Sequence, residues 1–263
     1  MKASDLKPGK TIFALFIGKS GSGKDCAAAS FPVPMKIFDL DLRSDGILGA
    51  TWFPREHLEK IDITKVSPKS GFQKVEEELE LLTTQYKIGQ RPYETIYFGS
   101  VTTLESLFLG DARRLLDASA GKKVHQVVGK VEFGSPADYK YLYSAMRETM
   151  DYLRMMPVNV ILSAHIVDRY GKNPAAKTEY EENIVLGEKL TLTDKLSENI
   201  QIYFNEVYRF EKRMSGDIPR HYVKFRTDVA KTVHQSLPNG ELDITSKNFY
   251  NEWSRLITKE KVA

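Results

Sequence analysis

Apolar and polar positions follow two different periods along the chain. Thr11 to Ile17 is an unbroken β-prone run, the pattern of a strand buried on both faces. Met35 to Asp41 is a second such run, headed by Pro32 and Pro34 and closed by acids; Thr95 to Phe98 and Val158 to Ala164 are further strands. Between them the period changes. Phe72, Val75, Leu79 and Leu82 recur at helical spacing, as do Tyr139, Leu142, Tyr143, Met146, Met150 and Leu153. Strands alternating with helices imply parallel crossovers. The expected fold class is α/β, a mostly parallel central sheet with helices on both faces.

The second half reads differently. Ile200 to Phe204, Glu206 to Phe210 and Tyr222 to Arg226 predict strands separated by short polar turns, extending the sheet with antiparallel strands. Asn248 to Lys259 predicts a last helix with Phe249, Trp253 and Leu256 on one face. Asp168 to Asn199 is charged and contains Gly171, Pro174 and Gly187, so it reads as a long functional loop. No repeat or strong linker interrupts the pattern. The expectation is one domain over 1–263, with a core at about 11–235 and a C-terminal helix at about 246–260.

Composition narrows the function classes. With 263 residues, 41% hydrophobic and 28% charged, the chain is ordinary for a globular protein. Its apolar runs are too short to span a membrane, so no membrane partner is expected. A net charge of +3 excludes a strongly basic nucleic-acid wrapper but not a local basic surface. One cysteine, Cys26, rules out an intrachain disulfide and a multi-cysteine zinc site. The first ten residues are polar and carry Lys2, Lys7 and Lys10 with no apolar leader core behind them, so a cytoplasmic location is expected.

The chemistry concentrates after the first strand. Gly18-Lys19-Ser20-Gly21-Ser22-Gly23-Lys24-Asp25 fits G-x-x-x-x-G-K between an apolar strand and an alanine-rich helix. Such a loop wraps its backbone N–H groups around an anion, Lys24 reaches the outer phosphates, and the following helix turns its positive end toward them. Cys26 lies at the edge of this candidate cofactor site. The usual Ser or Thr that holds Mg²⁺ is Asp25 here. A carboxylate is also a hard oxygen ligand, so Asp25 either keeps the metal site or marks its loss.

Three further strand ends supply candidates. Asp39 and Asp41 close the second strand at its carboxyl end, where open α/β sheets bind ligands. A carboxylate there orients an attacking water, and solvated acids fit the same pattern. The third strand should supply a metal-supporting Asp at position 99. It has Gly99 instead, followed by the neutral oxygens of Ser100, Thr102 and Thr103. The fourth ends at His165, which suits either a γ-phosphate sensor or a structural histidine.

These pieces, in this order, resemble the RecA-like P-loop ATPases of bacteriophages, the Sak-type single-strand annealing and recombination group often labelled AAA ATPases. The resemblance runs from about Ile12 to Thr232. It rests on the phosphate loop with Ala28-Ala29-Ser30-Phe31-Pro32, on Phe38-Asp39-Leu40-Asp41, on Tyr97 to Leu104, and on Pro157 to His165. It implies ATP and Mg²⁺ as cofactors, with Lys24, Asp41 and His165 as the catalytic residues and Asp25 and Asp41 at the metal. It implies single-stranded DNA as partner, bound by Lys122, Lys123 and Lys130 in one loop and Arg169, Tyr170, Lys172 and Lys177 in another. Solvated surface charge fits those loops equally well. It further implies a homo-oligomeric ring or filament and a phage single-strand-binding protein as a possible associate. Phe225-Arg226 and Lys231-Thr232 resemble the late hairpin that reaches a neighbour's nucleotide, although Val233-His234 replace the basic residue expected next.

Two other readings stand beside this one. The Gly-Lys-Asp ending is similar to that of P-loop phosphotransferases such as deoxynucleoside-monophosphate kinases, whose arginine-rich lid would fall at Asp168 to Asn199. There Arg169 is the single arginine. A non-catalytic nucleotide-binding assembly protein is the other. With Asp25 and Gly99 both departing from the pattern, weak hydrolysis is expected.

Overall fold

The computed structural model describes residues 11–44, 47, 58–66, 72–120, 127–128, 131–132, 135–172, 183–227, 229–234 and 237–258. Eight strands run across the sheet in a continuous order. β1 (Phe13–Gly18), β2 (Met35–Asp39), β3 (Ile61–Lys65), β4 (Thr95–Gly99), β7 (Asn159–Lys172) and β9 (Glu206–Ser215) are mutually parallel, in the order β9-β1-β7-β4-β2-β3. β10 (Ile218–Lys224) and β11 (Glu241–Asp243) extend the β9 edge antiparallel. β8 (Asn183–Leu190) pairs with β7 outside that order, and a small hairpin joins β5 (Val127–Val128) to β6 (Val131–Glu132). The α/β class, the mostly parallel sheet and the antiparallel C-terminal strands are therefore as the pattern predicts.

Helices cover both faces, and β1 shows why its sequence is apolar throughout. Phe13, Leu15 and Ile17 enter a core shared with α2 (Gln73–Lys87), α3 (Val101–Ala120) and α4 (Pro136–Arg154). Ala14 and Phe16 point the other way, into a core shared with α1 (Lys24–Ala29) and α6 (Phe249–Thr258). Successive residues of a strand face opposite sides, so a central strand has no solvent face left for polar groups. At the start of α4 the Ser135 hydroxyl accepts from Asp138 N and the Asp138 carboxylate accepts from Ser135 N, with Pro136 at the first helical position. This reciprocal cap satisfies donors that a helix start leaves open.

α1 has six residues, too few to hold helical form by itself. α6 supplies the missing support. Tyr250 N donates to Ser30 Oγ at 2.9 Å, and Phe31 lies 4.9 Å from the Tyr250 ring and 6.1 Å from that of Trp253. Trp253 in turn donates from Nε1 to the buried Tyr208 hydroxyl at 2.8 Å, and Tyr208 donates to Glu206 at 2.7 Å.

Two predicted segments come out differently. Ile200 to Phe204 is a 3-10 turn over Ile200–Tyr203 rather than a strand. Ile200 and Phe204 are buried while Ile202 is 67% exposed, a spacing that one strand face cannot give. The segment from Asp168, predicted as a loop, instead begins inside β7. That strand runs seven residues beyond His165 and forms a hairpin with β8, with an irregularity between Arg169 and Tyr170. Val167 and Tyr170, on opposite faces of β7 past the core, are both exposed, so the apolar pattern that marks a strand is missing there. No helix among the described residues is long and apolar enough to cross a membrane.

Candidate active site

The phosphate loop leaves β1 at the carboxyl edge of the sheet. A Cβ at Gly18 would stand 2.5 Å from both Phe210 O and Ser22 Oγ, so only glycine lets the loop fold against β9. Gly23 holds φ at +93° directly before α1, the left-handed region glycine enters without strain. Lys24 is 3% exposed and donates to Gly18 O at 3.0 Å and Lys19 O at 3.1 Å. Burial pulls its pKa below the ordinary lysine value, opposed by Asp25 and Asp41. The Ser22 hydroxyl is buried in this loop with no hydrogen-bond partner among the described residues. A buried donor left open in a ring of backbone amides fits an anionic ligand. Burial, then Asp25, pushes the Cys26 thiol up.

Next to the loop, the ends of β2 and β4 meet the middle of β7. β2 stops at Asp39, whose carboxylate accepts from the backbone N–H groups of Arg43 and Ser44, both at 2.9 Å. Asp39 thus shapes the turn that presents Asp41. The Asp41 carboxylate accepts from Ser100 at 3.0 Å and from Thr103, and its Oδ2 lies 3.3 Å from His165 Nε2. Burial raises its pKa, but the hydrogen bonds from His165, Thr103 and Ser100 outweigh burial and hold it at about 2. Lys24, Asp25, Asp39, Asp41, Tyr97 and His165 all line one cavity of about 60 Å³. That volume suits an ion and the end of a phosphate chain. A larger cavity of about 670 Å³ lies elsewhere, among α2, α3 and α4, and shares no residue with it.

The sequence places this site in a known family. Residues 10–236 match the family described as AAA domain. The chain belongs to that family. Two of the solved structures to which this AAA-domain protein is similar share little sequence with it. One is a KaiC-like protein from Pyrococcus horikoshii, 14% identical, covering 88% of each chain at a TM-score of 0.44. The other is the flagellar accessory protein FlaH of Methanocaldococcus jannaschii, 10% identical, covering 89% of this chain and 84% of that one at 0.45. No curated protein matches it. Family and loop together make the chain an AAA-family, P-loop nucleotide-binding domain of the ATPase type.

Mg²⁺ fits the residues present. It binds through one or two carboxylates together with substrate phosphates, and of the three carboxylates lining the cavity beside Lys24, Asp25 and Asp41 are not taken up by backbone N–H groups as Asp39 is. Among the described residues no group of three or more His, Cys, Asp or Glu forms a metal cage, so a Mg²⁺ held here would take its other ligands from phosphate and water oxygens.

The proposed DNA-contacting residues are only partly described. Lys122, Lys123, Lys130 and Lys177 lie outside the described residues. Arg169 and Tyr170 are exposed on the β7–β8 hairpin, Tyr170 by 61%, and Lys172 lies on the same strand. The hairpin touches the phosphate loop through an ion pair of 2.8 Å between Asp168 and Lys19. A second link is Arg209 on β9, which grips the Glu188 carboxylate of β8 with two nitrogens at 2.5 Å. Arg226 is engaged within its own chain. Its guanidinium donates to the carbonyls of His234 and Leu237 and to Asn239 of its own chain, because it organises the turn after β10.

Three contributors escape sequence reasoning. Tyr97 reads as an apolar strand residue, yet its hydroxyl donates to Asp25 and lies 3.0 Å from Ser163 Oγ. Its position two before Gly99 was the available signal. Ser163 carries no local signal at all. Nor does His221, on β10, which sets Nδ1 3.1 Å from Ser22 O and packs beneath Gly23.

Proposed function

We propose that this AAA-domain protein binds ATP with Mg²⁺, hydrolyses it slowly, and couples the nucleotide to single-stranded DNA as a homo-oligomer in phage-type annealing or recombination. The observation that carries the hydrolytic part is the convergence of Lys24, Asp41 and His165 on one cavity. Lys24 leaves the loop carbonyls and pairs with the outer phosphates. Asp41 stays ionised and is too weak a base at a pKa of about 2 to take a full proton, so it orients the water by accepting its hydrogen bond. The water oxygen bonds to the γ-phosphorus, the bond to the β–γ bridging oxygen breaks, and the water protons end on the released phosphate. His165, held by Asp41, meets the γ-phosphate and passes its presence along β7 into the hairpin. When bound, Mg²⁺ supplies charge stabilisation to the phosphates.

The DNA part is supported by Arg169 and Tyr170 on that hairpin, a cation beside an aromatic face. A phosphotransferase is less well supported, because the described parts of Asp168 to Asn199 form a strand pair and a short helix carrying Arg169 alone.

Phosphate release by the full chain, measured with and without single-stranded DNA, tests the reading. Slow release that rises with DNA is expected. No release under either condition overturns hydrolysis, and transfer to a nucleoside monophosphate replaces it with the kinase reading.

A further inference from the structure

We propose that the metal-binding carboxylate of this site has crossed to the other wall: Asp25 on α1 holds the divalent cation, and the Tyr97 hydroxyl on β4 orients it. This rests on the nucleotide reading above and goes beyond it by naming the ligand and its positioning residue.

In P-loop enzymes Mg²⁺ is held by a hydroxyl residue after the loop lysine and an Asp on a neighbouring strand. Here the two chemistries are exchanged. The carboxylate stands after Lys24, and the strand offers a hydroxyl. Tyr97 and Gly99 lie on one face of β4, two residues apart. A Cβ at Gly99 would stand 3.1 Å from the Tyr97 hydroxyl oxygen and 3.2 Å from its ring. The bare position therefore makes room for the tyrosine. Gly99, Tyr97 and Asp25 are then three parts of one rearrangement, and the absent Asp at position 99 is not a simple loss.

The exchange keeps one carboxylate and one hydroxyl facing the phosphates, so the net charge offered to the cation is unchanged. Tyr97 is fully buried, and its hydroxyl lies between Asp25 and Ser163. It therefore serves as a fixed donor to Oδ1 of Asp25, and Oδ2 is the oxygen left for the cation. Ser163 sits behind the tyrosine at 3.0 Å. Outer groups of this kind hold a ligand's orientation. Asp41 is the weaker choice of ligand, because its carboxylate already serves Ser100, Thr103 and His165.

ATP affinity measured in EDTA and across a Mg²⁺ titration tests this without relying on turnover. Wild type should bind ATP in EDTA and tighten as Mg²⁺ is added. Asp25→Asn should keep or improve the EDTA affinity, since a negative charge beside the phosphates is gone, and should lose the Mg²⁺-dependent tightening. Tyr97→Phe should raise the half-saturating Mg²⁺ roughly 10-fold, the scale of lost outer-shell support, and should add nothing on the Asp25→Asn background. The triple change Asp25→Thr, Tyr97→Phe, Gly99→Asp should restore the tightening. Asp25 is exposed, so its variant does not threaten the fold. An unchanged Mg²⁺ response in Asp25→Asn overturns the proposal while ATP binding in EDTA leaves the phosphate-loop reading intact. An unchanged response in Tyr97→Phe overturns the positioning role. No ATP binding by wild type in either condition overturns the nucleotide reading and this proposal with it.

Discussion

His165 Nε2 lies 3.3 Å from Oδ2 of Asp41, although 124 positions separate the two residues in sequence. The pair ties the middle of β7 to the turn after β2, across β4. Asp41→Asn should weaken that tie and cut ATP turnover by about 100-fold or more, the scale of lost proton or water management. ATP affinity should change little. Parallel losses in turnover and affinity would instead point to a collapsed site.

The same pair predicts a pH dependence. The Asp41 carboxyl is held at about 2, below its ordinary 3.8. A depressed folded-state value gives stability that is complete above the ordinary value and disappears as pH falls toward the folded one. Thermal melting between about pH 4 and pH 2 should therefore fall more steeply for wild type than for Asp41→Asn. Parallel curves for the two proteins contradict this.

Lys24→Ala should lower ATP affinity at least about tenfold, a charge-assisted hydrogen bond to phosphate being worth about 1.5–3 kcal/mol. Equilibrium binding measured in EDTA isolates the effect from the cation. Unchanged affinity removes the phosphate-loop assignment.

The β7–β8 hairpin gives a separate test. Tyr170→Ala should weaken single-stranded DNA binding by about 1–3 kcal/mol if the ring stacks on a base. Arg169→Ala should reduce the slope of affinity against salt by about 0.7, one phosphate contact on a single strand. Fluorescence anisotropy over a salt series reads both. A double variant that binds like wild type excludes the hairpin.

Trp253 carries a stability prediction. It is buried against Phe31 and Tyr208, and Trp253→Ala should cost about 3–5 kcal/mol. The urea midpoint should drop accordingly. ATP affinity in the folded fraction should fall too, because α1 loses part of its support.

Local chemistry made some of this legible from sequence. β1 is apolar because both its faces are covered, and the phosphate loop needs glycine where φ is positive; both requirements act on neighbouring residues. Asp41 and His165 could be picked out one by one as polar groups ending apolar strands. Their contact depends on the order β7-β4-β2 and on a register that aligns Asp39 with Gly99 and Gly99 with Ser163. No local pattern encodes that. Tyr97 was hidden for the opposite reason, since its ring satisfies the core and only its oxygen belongs to the site. The β7–β8 hairpin was missed because a strand solvated on both faces leaves no apolar trace.

The clamp of α6 on α1 has a consequence for the order of events during synthesis. The phosphate loop leaves the ribosome before the partner of its helix, which follows 220 residues later. β9, whose Phe210 carbonyl closes on Gly18, is also made late. A growing chain would thus carry the nucleotide signature before it has the means to hold its shape. Competence to bind would arrive only once β9 and α6 have both been made.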